Sequence, residues 1–131
     1  MAHVIHFTTD RFDPATEPPN PINPIPGHSV LAWLCCELQA LGYDTTDTGA
    51  EDWGWYAYTK SGPMSYMLGA SGEPESGKHF HWIIAITGRR SLRDRLFGRN
   101  KMLADDELSA TVERLLRAQD DFRIEAIEKE A

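Results

Sequence analysis

The sequence of residues 53–70, WGWYAYTKSGPMSYMLGA, predicts a β-hairpin. Both halves are rich in aromatic and other strand-forming residues, and the turn signal KSGP at residues 60–63 separates them. Successive side chains of a strand point to opposite faces, which divides the first half into two sets. One set is Trp53, Trp55 and Ala57, and the other is Tyr56 and Tyr58. Since both sets are apolar or aromatic, one face should pack on the core and the other should contact a helix, a partner or a ligand.

Two acids, Glu51 and Asp52, stand directly before this aromatic run. Carboxylates at the entrance of an aromatic strand predict a recognition surface, because aromatic residues are enriched where proteins bind one another. The residues of this candidate surface are Glu51, Asp52, Trp53, Trp55, Tyr56 and Tyr58. Neighbouring carboxylates also split each other's pKa values, so the pair alternatively supplies a general acid and base, or simply solvates the end of a strand.

The remaining pattern predicts a single α+β domain over residues 1–131, a length that forms one hydrophobic core. Further strands are expected at residues 3–8, 43–48 and 79–87. Residues 29–41 are apolar nearly all round and predict a buried helix, and an apolar stripe predicts an amphipathic C-terminal helix at 105–119. An order of strand, helix, four-strand meander and helix is typical of a mainly antiparallel sheet of four to five strands with helices on one or both faces.

Residues 13–27 form a proline-rich segment that contains six prolines. Proline removes a backbone donor and restricts the residue before it to extended conformations, which excludes a helix or an inner strand. We therefore expect a semi-rigid surface loop that carries the chain across one edge of the fold. The alternative is a polyproline ligand for an aromatic-lined groove.

A basic loop is predicted at residues 88–101, which hold six basic residues and a single acid, Asp94. The whole chain has a net charge of −7, so this local balance of +5 leaves −12 on the remainder. Leu92, Leu96 and Phe97 recur at helical spacing and are expected to be buried by a short amphipathic turn. The arginines expected to face outward and contact an acidic protein or an anion are Arg89, Arg90, Arg93 and Arg95. Alternatively, these arginines neutralise the acidic helices of the same chain.

His79 and His81 lie two residues apart in a predicted strand, which places both imidazoles on one face, as in some metal sites. No fixed spacing supplies a third ligand. The candidates for it are His3, His6, Glu51 and Asp52. The pattern predicts a solvent-facing pair without metal, and the alternative is a small metal-binding or acid/base enzyme centred on the pair and residues 51–52. Motifs for a nucleophile elbow, a phosphate loop, a dinucleotide fold or a zinc protease are missing, so no catalytic residue or cofactor is expected.

The composition predicts a protein that stays in the cytoplasm. No apolar run approaches the ~20 residues of a membrane span, and the N-terminus has no basic region followed by an apolar core. The only cysteines, Cys35 and Cys36, are adjacent, and neighbouring residues of a helix are poorly placed to bond each other. An acidic chain repels nucleic acid, and no membrane contact is expected, so another protein is the expected partner.

The block Glu51-Asp52-Trp53-Gly54-Trp55 follows an apolar helix that ends at Leu41-Gly42-Tyr43, and it precedes a meander. In this combination, the middle half of the chain resembles small bacterial domains of uncharacterised function. The resemblance implies an α+β fold and carries no activity or catalytic residue. Small size, acidity, surplus aromatics and missing catalytic motifs together favour a small acidic cytoplasmic protein-binding domain of the immunity, inhibitor or adaptor type.

Overall fold

The computed structural model describes residues 2–75 and 80–130, which form one antiparallel sheet and three α-helices. The strands are β1 (Ala2–Thr8), β2 (Asp44–Thr45), β3 (Gly49–Glu51), β4 (Gly54–Ser61), β5 (Met64–Pro74), β6 (Phe80–Arg89) and β7 (Arg123–Glu130). The helices are α1 (His28–Ala40), α2 (Leu92–Leu96) and α3 (Glu107–Arg117). The strand order in the sheet is β2-β4-β5-β6-β1-β7, and β3 also pairs with β4.

The α+β class and the antiparallel sheet are confirmed, and α1 and α3 lie where the two long helices are expected. The expected number of four to five strands is wrong, because the described residues hold seven. One additional strand, β3, has only three residues, too few for an alternating pattern to be recognised. The other, β7, has the sequence RIEAIEKE, in which charged residues outnumber apolar ones. It is a strand because it pairs with β1, which is distant in sequence.

Both long helices pack on one face of the sheet. Strand side chains on that face are buried and share one hydrophobic core with side chains of α1 and α3. The core residues without exposed surface include Phe7, Leu34, Leu68, Trp82, Ile84, Val112 and Leu116. Burial alternates along β1 and β6, so side chains on the opposite face are half-buried or exposed. We call this second face, which no helix of the described residues covers, the open face.

The proline-rich segment is a loop, as expected, apart from a short 3-10 turn at Pro14–Thr16. Its Glu17 carboxylate lies at the N-terminus of α1. There it accepts hydrogen bonds from the backbone N–H groups of Gly27 (2.9 Å), His28 (3.1 Å) and Ser29 (3.2 Å). The first N–H groups of a helix have no partner within the helix, so this carboxylate replaces the side chain that the N-cap residue, Gly27, lacks.

The same loop holds the turn between β3 and β4. The side-chain amide of Asn20 donates hydrogen bonds of 3.0 Å to the backbone carbonyls of Glu51 and Gly54. Asn23 Nδ2 donates a hydrogen bond of 2.8 Å to the carbonyl of Asp52. The loop therefore fixes the position of the residues that lead into the aromatic strand β4.

Candidate functional site

The open face is the candidate functional site, because it brings together many of the residues predicted to bind. The register of the strands arranges its side chains in rows that run across the sheet. The middle row consists of Tyr56, Gly69, Ala85 and Val4, from β4 to β1. Toward the ends of the strands the face is charged, with basic residues at one end and acidic residues at the other.

Trp53 lies across the middle of the open face. It belongs to the turn between β3 and β4, since β4 begins at Gly54. A Cβ atom added to Gly69 would come within 2.9 Å of the Trp53 ring, so the indole rests directly on that glycine. The Trp53 side chain is 41% exposed, whereas Trp55 is 7% exposed and faces the core. The expectation that the two tryptophans share a face is therefore wrong, because the strand alternation starts one residue after Trp53.

Tyr56 and Tyr58 share the open face, as predicted, and their ring centroids are 5.4 Å apart. The guanidinium carbon of Arg89 lies 4.1 Å from the centroid of the Tyr58 ring. A guanidinium over an aromatic face is attracted by the negative charge of the ring face. These groups and Trp53 form a surface of rigid, planar side chains, which we call the aromatic strip (Trp53, Tyr56, Tyr58 and Arg89).

The basic end of the open face is a row of four side chains. Register places them side by side in the order Asp44, Lys60, Ser65 and Arg89. They line a cleft of about 230 Å³ whose wall also contains threonine hydroxyls. No carboxylate of the described residues lies within ion-pair distance of Lys60 or Arg89. Both cations are therefore available to a negatively charged partner.

The acidic end lies at the opposite ends of the same strands. Glu51 is paired in register with Gly54, and Glu73 with His81, so both carboxylates belong to the open face. Glu75 Oε1 lies 3.6 Å from His81 Nδ1 and adds a third negative charge. All three glutamates are exposed. The open face thus carries charge of opposite sign at its two ends.

A histidine pair lies beside the acidic end. His6 Nδ1 is 2.8 Å from His81 Nε2, and His6 Nε2 is 3.1 Å from Glu128 Oε1. His6 is one of the ligands suggested by the sequence, and it meets His81 because β1 pairs with β6. His79 lies outside the described residues, and β4 and β5 separate residues 51–52 from His81. Within 2–75 and 80–130, no three histidine, cysteine, aspartate or glutamate side chains are grouped closely enough to hold a metal ion.

The basic loop differs from its expected packing. Its helix, α2, has no buried residue. Leu92, Leu96 and Phe97 are 73%, 72% and 62% exposed. The expectation that these three side chains are buried is wrong, because the sheet and the long helices do not cover α2 and polar contacts hold the loop together instead.

Arg90 supplies the central polar contacts of this loop. Its Nε donates a hydrogen bond of 3.0 Å to the carbonyl of Arg99, and its Nη2 donates one of 2.9 Å to the carbonyl of Asp94. The side chain of Asn100 bonds the Asp94 carboxylate at 3.1 Å and holds the pKa of that group below its usual value. Arg90 is therefore a structural residue. The other predicted arginines lie on the open face (Arg89) or are exposed on the loop (Arg93 and Arg95).

The titratable groups with the largest changes in pKa lie in the core and not on the open face. Burial raises the pKa of the Cys35 thiol to about 11, which makes it unreactive at neutral pH. Burial and a 2.6 Å hydrogen bond to Asp106 raise the pKa of the Tyr66 hydroxyl. Burial also lowers the pKa of His3, whose Nε2 atom has no hydrogen-bond partner in the described part of the chain. These groups contribute to the core, so they are not candidates for a site.

No protein-family model, curated protein or solved structure matches this chain. Among the described residues, no helix is long and apolar enough to cross a membrane. By its fold and its candidate site, the protein is an α+β domain. Helices cover one face of its antiparallel sheet, and the aromatic strip lies on the other face.

Proposed function

We propose that this chain is a small cytoplasmic protein-binding domain of the immunity, inhibitor or adaptor type, and that the open face is its binding surface. The observation that carries the proposal is the aromatic strip, which lies on a face without a helix in the described part of the chain. Large exposed apolar patches on soluble proteins mark sites of interaction. Tryptophan, tyrosine and arginine are also the residues most enriched among those that dominate binding energy.

The aromatic strip is held in place before any partner binds. Hydrogen bonds from Asn20 and Asn23 fix the turn that carries Trp53. Side chains that are already ordered lose little entropy on binding, which favours affinity. An aromatic centre with charged ends matches the core and rim of protein interfaces, whereas the acidic end would repel the phosphates of nucleic acid. These features support a protein partner.

A site-specific photo-cross-linker tests this function. A photoreactive phenylalanine analogue replaces Tyr56 on the open face, and in the matched control it replaces Leu41, which is 57% exposed at the end of α1. Irradiation of cells that express the chain should join the Tyr56 variant, and not the Leu41 variant, to a defined protein. Adding Trp53→Ser and Tyr58→Ser should abolish the product without changing the circular dichroism. Equal products from both positions, or none from Tyr56, would contradict the proposal.

A further inference from the structure

We propose that the protein bound by the open face is a second copy of this chain. This inference rests on the proposed function of the open face and names its partner. In this dimer, the open faces of two copies pack against each other and are related by a two-fold axis. The axis lies in the plane of the interface and is perpendicular to the strands. It follows the middle row, which contains Tyr56 and Gly69. Such an axis reverses the strand direction, so the basic end of one copy faces the acidic end of the other.

The positions of the charges match this symmetry. Arg89 lies four residues from Ala85, and Glu73 lies four residues from Gly69 in the opposite direction, on neighbouring strands. Rotation about the middle row therefore brings Arg89 of one copy over His81 of the other, beside Glu73 on the neighbouring strand. By the same operation, Lys60 faces the acidic residues 51–52, and every contact occurs twice.

Within residues 2–75 and 80–130, these charges lack an ion-pair partner. No ion pair of the described residues includes Lys60, Arg89, Glu51 or Glu73. A second copy supplies the opposite charge to each of them. In the alternative dimer, the strands of the two copies run in the same direction. The basic ends would then face each other, as would the acidic ends, and this repulsion disfavours that arrangement.

The middle row provides the apolar centre of the interface. Its members lie along the axis and therefore meet the same row of the second copy. The Trp53 indole, which rests on Gly69, approaches its equivalent across the axis. A fully covered aromatic centre between charged ends is the arrangement found in specific protein interfaces.

The open face is large enough for a stable dimer. Five neighbouring strands at a spacing of ~4.8 Å, with about eight residues each at ~3.3 Å per residue, cover an area of about 24 Å by 26 Å. Two copies would then bury roughly 1,200 Å² in total, which reaches the ~1,200–2,000 Å² of stable, specific interfaces. Facing sheets commonly pack with their strands aligned to within about 30°, as this dimer requires.

A charge swap measured by sedimentation equilibrium on the full chain tests the dimer. The wild type should be a dimer that dissociates on dilution. Lys60→Glu with Arg89→Glu, and separately Glu51→Lys with Glu73→Lys, bring like charges together. Each pair of substitutions should raise the dimer dissociation constant at least about a hundredfold. An equimolar mixture of the two variants should associate again as a heterodimer, because opposite charges meet in every contact.

Arg93→Glu with Arg95→Glu is the matched control. It changes the net charge by the same amount as the variant of Lys60 and Arg89, at exposed positions outside the open face. This control should remain a dimer with the affinity of the wild type. Circular dichroism and a thermal melt establish that each variant is folded, which is expected because the substituted side chains are exposed.

Two results would overturn the proposal: a wild type that stays monomeric at every concentration, or a mixture of the swapped variants that does not associate. The photo-cross-linking experiment then decides separately on the proposed function. A Tyr56 product that contains a different protein would retain the open face as a binding surface while rejecting the dimer. The absence of any Tyr56 product would reject both.

Discussion

Glu17 is the residue on which the start of α1 depends. The proline-rich loop places its carboxylate against three backbone N–H groups that the helix leaves unsatisfied, and the positive end of the helix dipole adds to the attraction. The N-cap residue, Gly27, has a φ of 150° and no side chain that could accept these bonds. A Cβ atom at Gly27 would also lie 2.4 Å from the carbonyl oxygen of Ala70. The close approach of the chain requires glycine there, and Glu17 compensates for it.

Replacing Glu17 with Ala should lower the free energy of unfolding by about 1–2 kcal/mol, the usual contribution of an N-cap side chain. Glu17→Gln keeps an acceptor oxygen but loses the charge, so its effect should be smaller. Asp13→Ala is the matched control, because Asp13 caps only the 3-10 turn, by accepting a 3.0 Å hydrogen bond from Ala15 N. Urea denaturation measures all three variants. Equal losses for Glu17→Ala and Asp13→Ala would rule out a special role for the helix cap.

Residues placed by their neighbours in the chain are easier to predict than residues placed by distant contacts. Tyr56 and Tyr58 are predicted correctly, because alternation within a strand is local. Trp53 is misplaced, because the turn before β4 is held by asparagines 29 and 31 residues away in sequence. Glu17 lies ten residues before the N-cap residue Gly27, a separation that matches no local capping pattern.

The basic loop is an element held together by polar contacts rather than by a core. Its helix buries no side chain, and Arg90 bonds two backbone carbonyls of the loop. The helical spacing of Leu92, Leu96 and Phe97 correctly indicates a short helix. It fails to indicate burial, because burial requires a second element to cover α2, and local spacing carries no information about that. The strand β7 is missed for a similar reason, since its partner β1 is at the other end of the sequence.

Arg90→Ala should loosen this loop without unfolding the protein. The change removes both side-chain hydrogen bonds, so amide hydrogen exchange within residues 91–100 should accelerate at least about tenfold, while global stability changes by less than ~1 kcal/mol. Arg93→Ala is the matched control, because Arg93 is exposed and its side chain makes no hydrogen bond or ion pair in the described residues. Hydrogen exchange with mass spectrometry compares the two. Unchanged exchange in the Arg90 variant would show that other contacts hold the loop.

In the whole molecule, one core lies between α1, α3 and a single face of the sheet. The α+β layout is predictable from sequence, because the apolar periodicity of helices and strands is local. The order of the strands is not, since it depends on pairing between distant segments. That order brings His6 to His81 and places Lys60 and Arg89 at one end of the open face. The candidate site is therefore a product of topology more than of any motif.

Ile83 and Ile84 are neighbours in β6 whose side chains point to opposite faces. Ile84 has no exposed surface, so Ile84→Ala should lower the free energy of unfolding by about 2–5 kcal/mol through lost burial and a cavity. Ile83 is half-buried on the open face. In the variant with Lys60→Glu and Arg89→Glu, which is expected to be monomeric, Ile83→Ala should lower the free energy of unfolding by less than about 1 kcal/mol. In the wild type this cost should increase with protein concentration, because a dimer covers the open face. Denaturant titrations of the monomeric variant that give equal losses for both isoleucines would contradict a core confined to one face of the sheet.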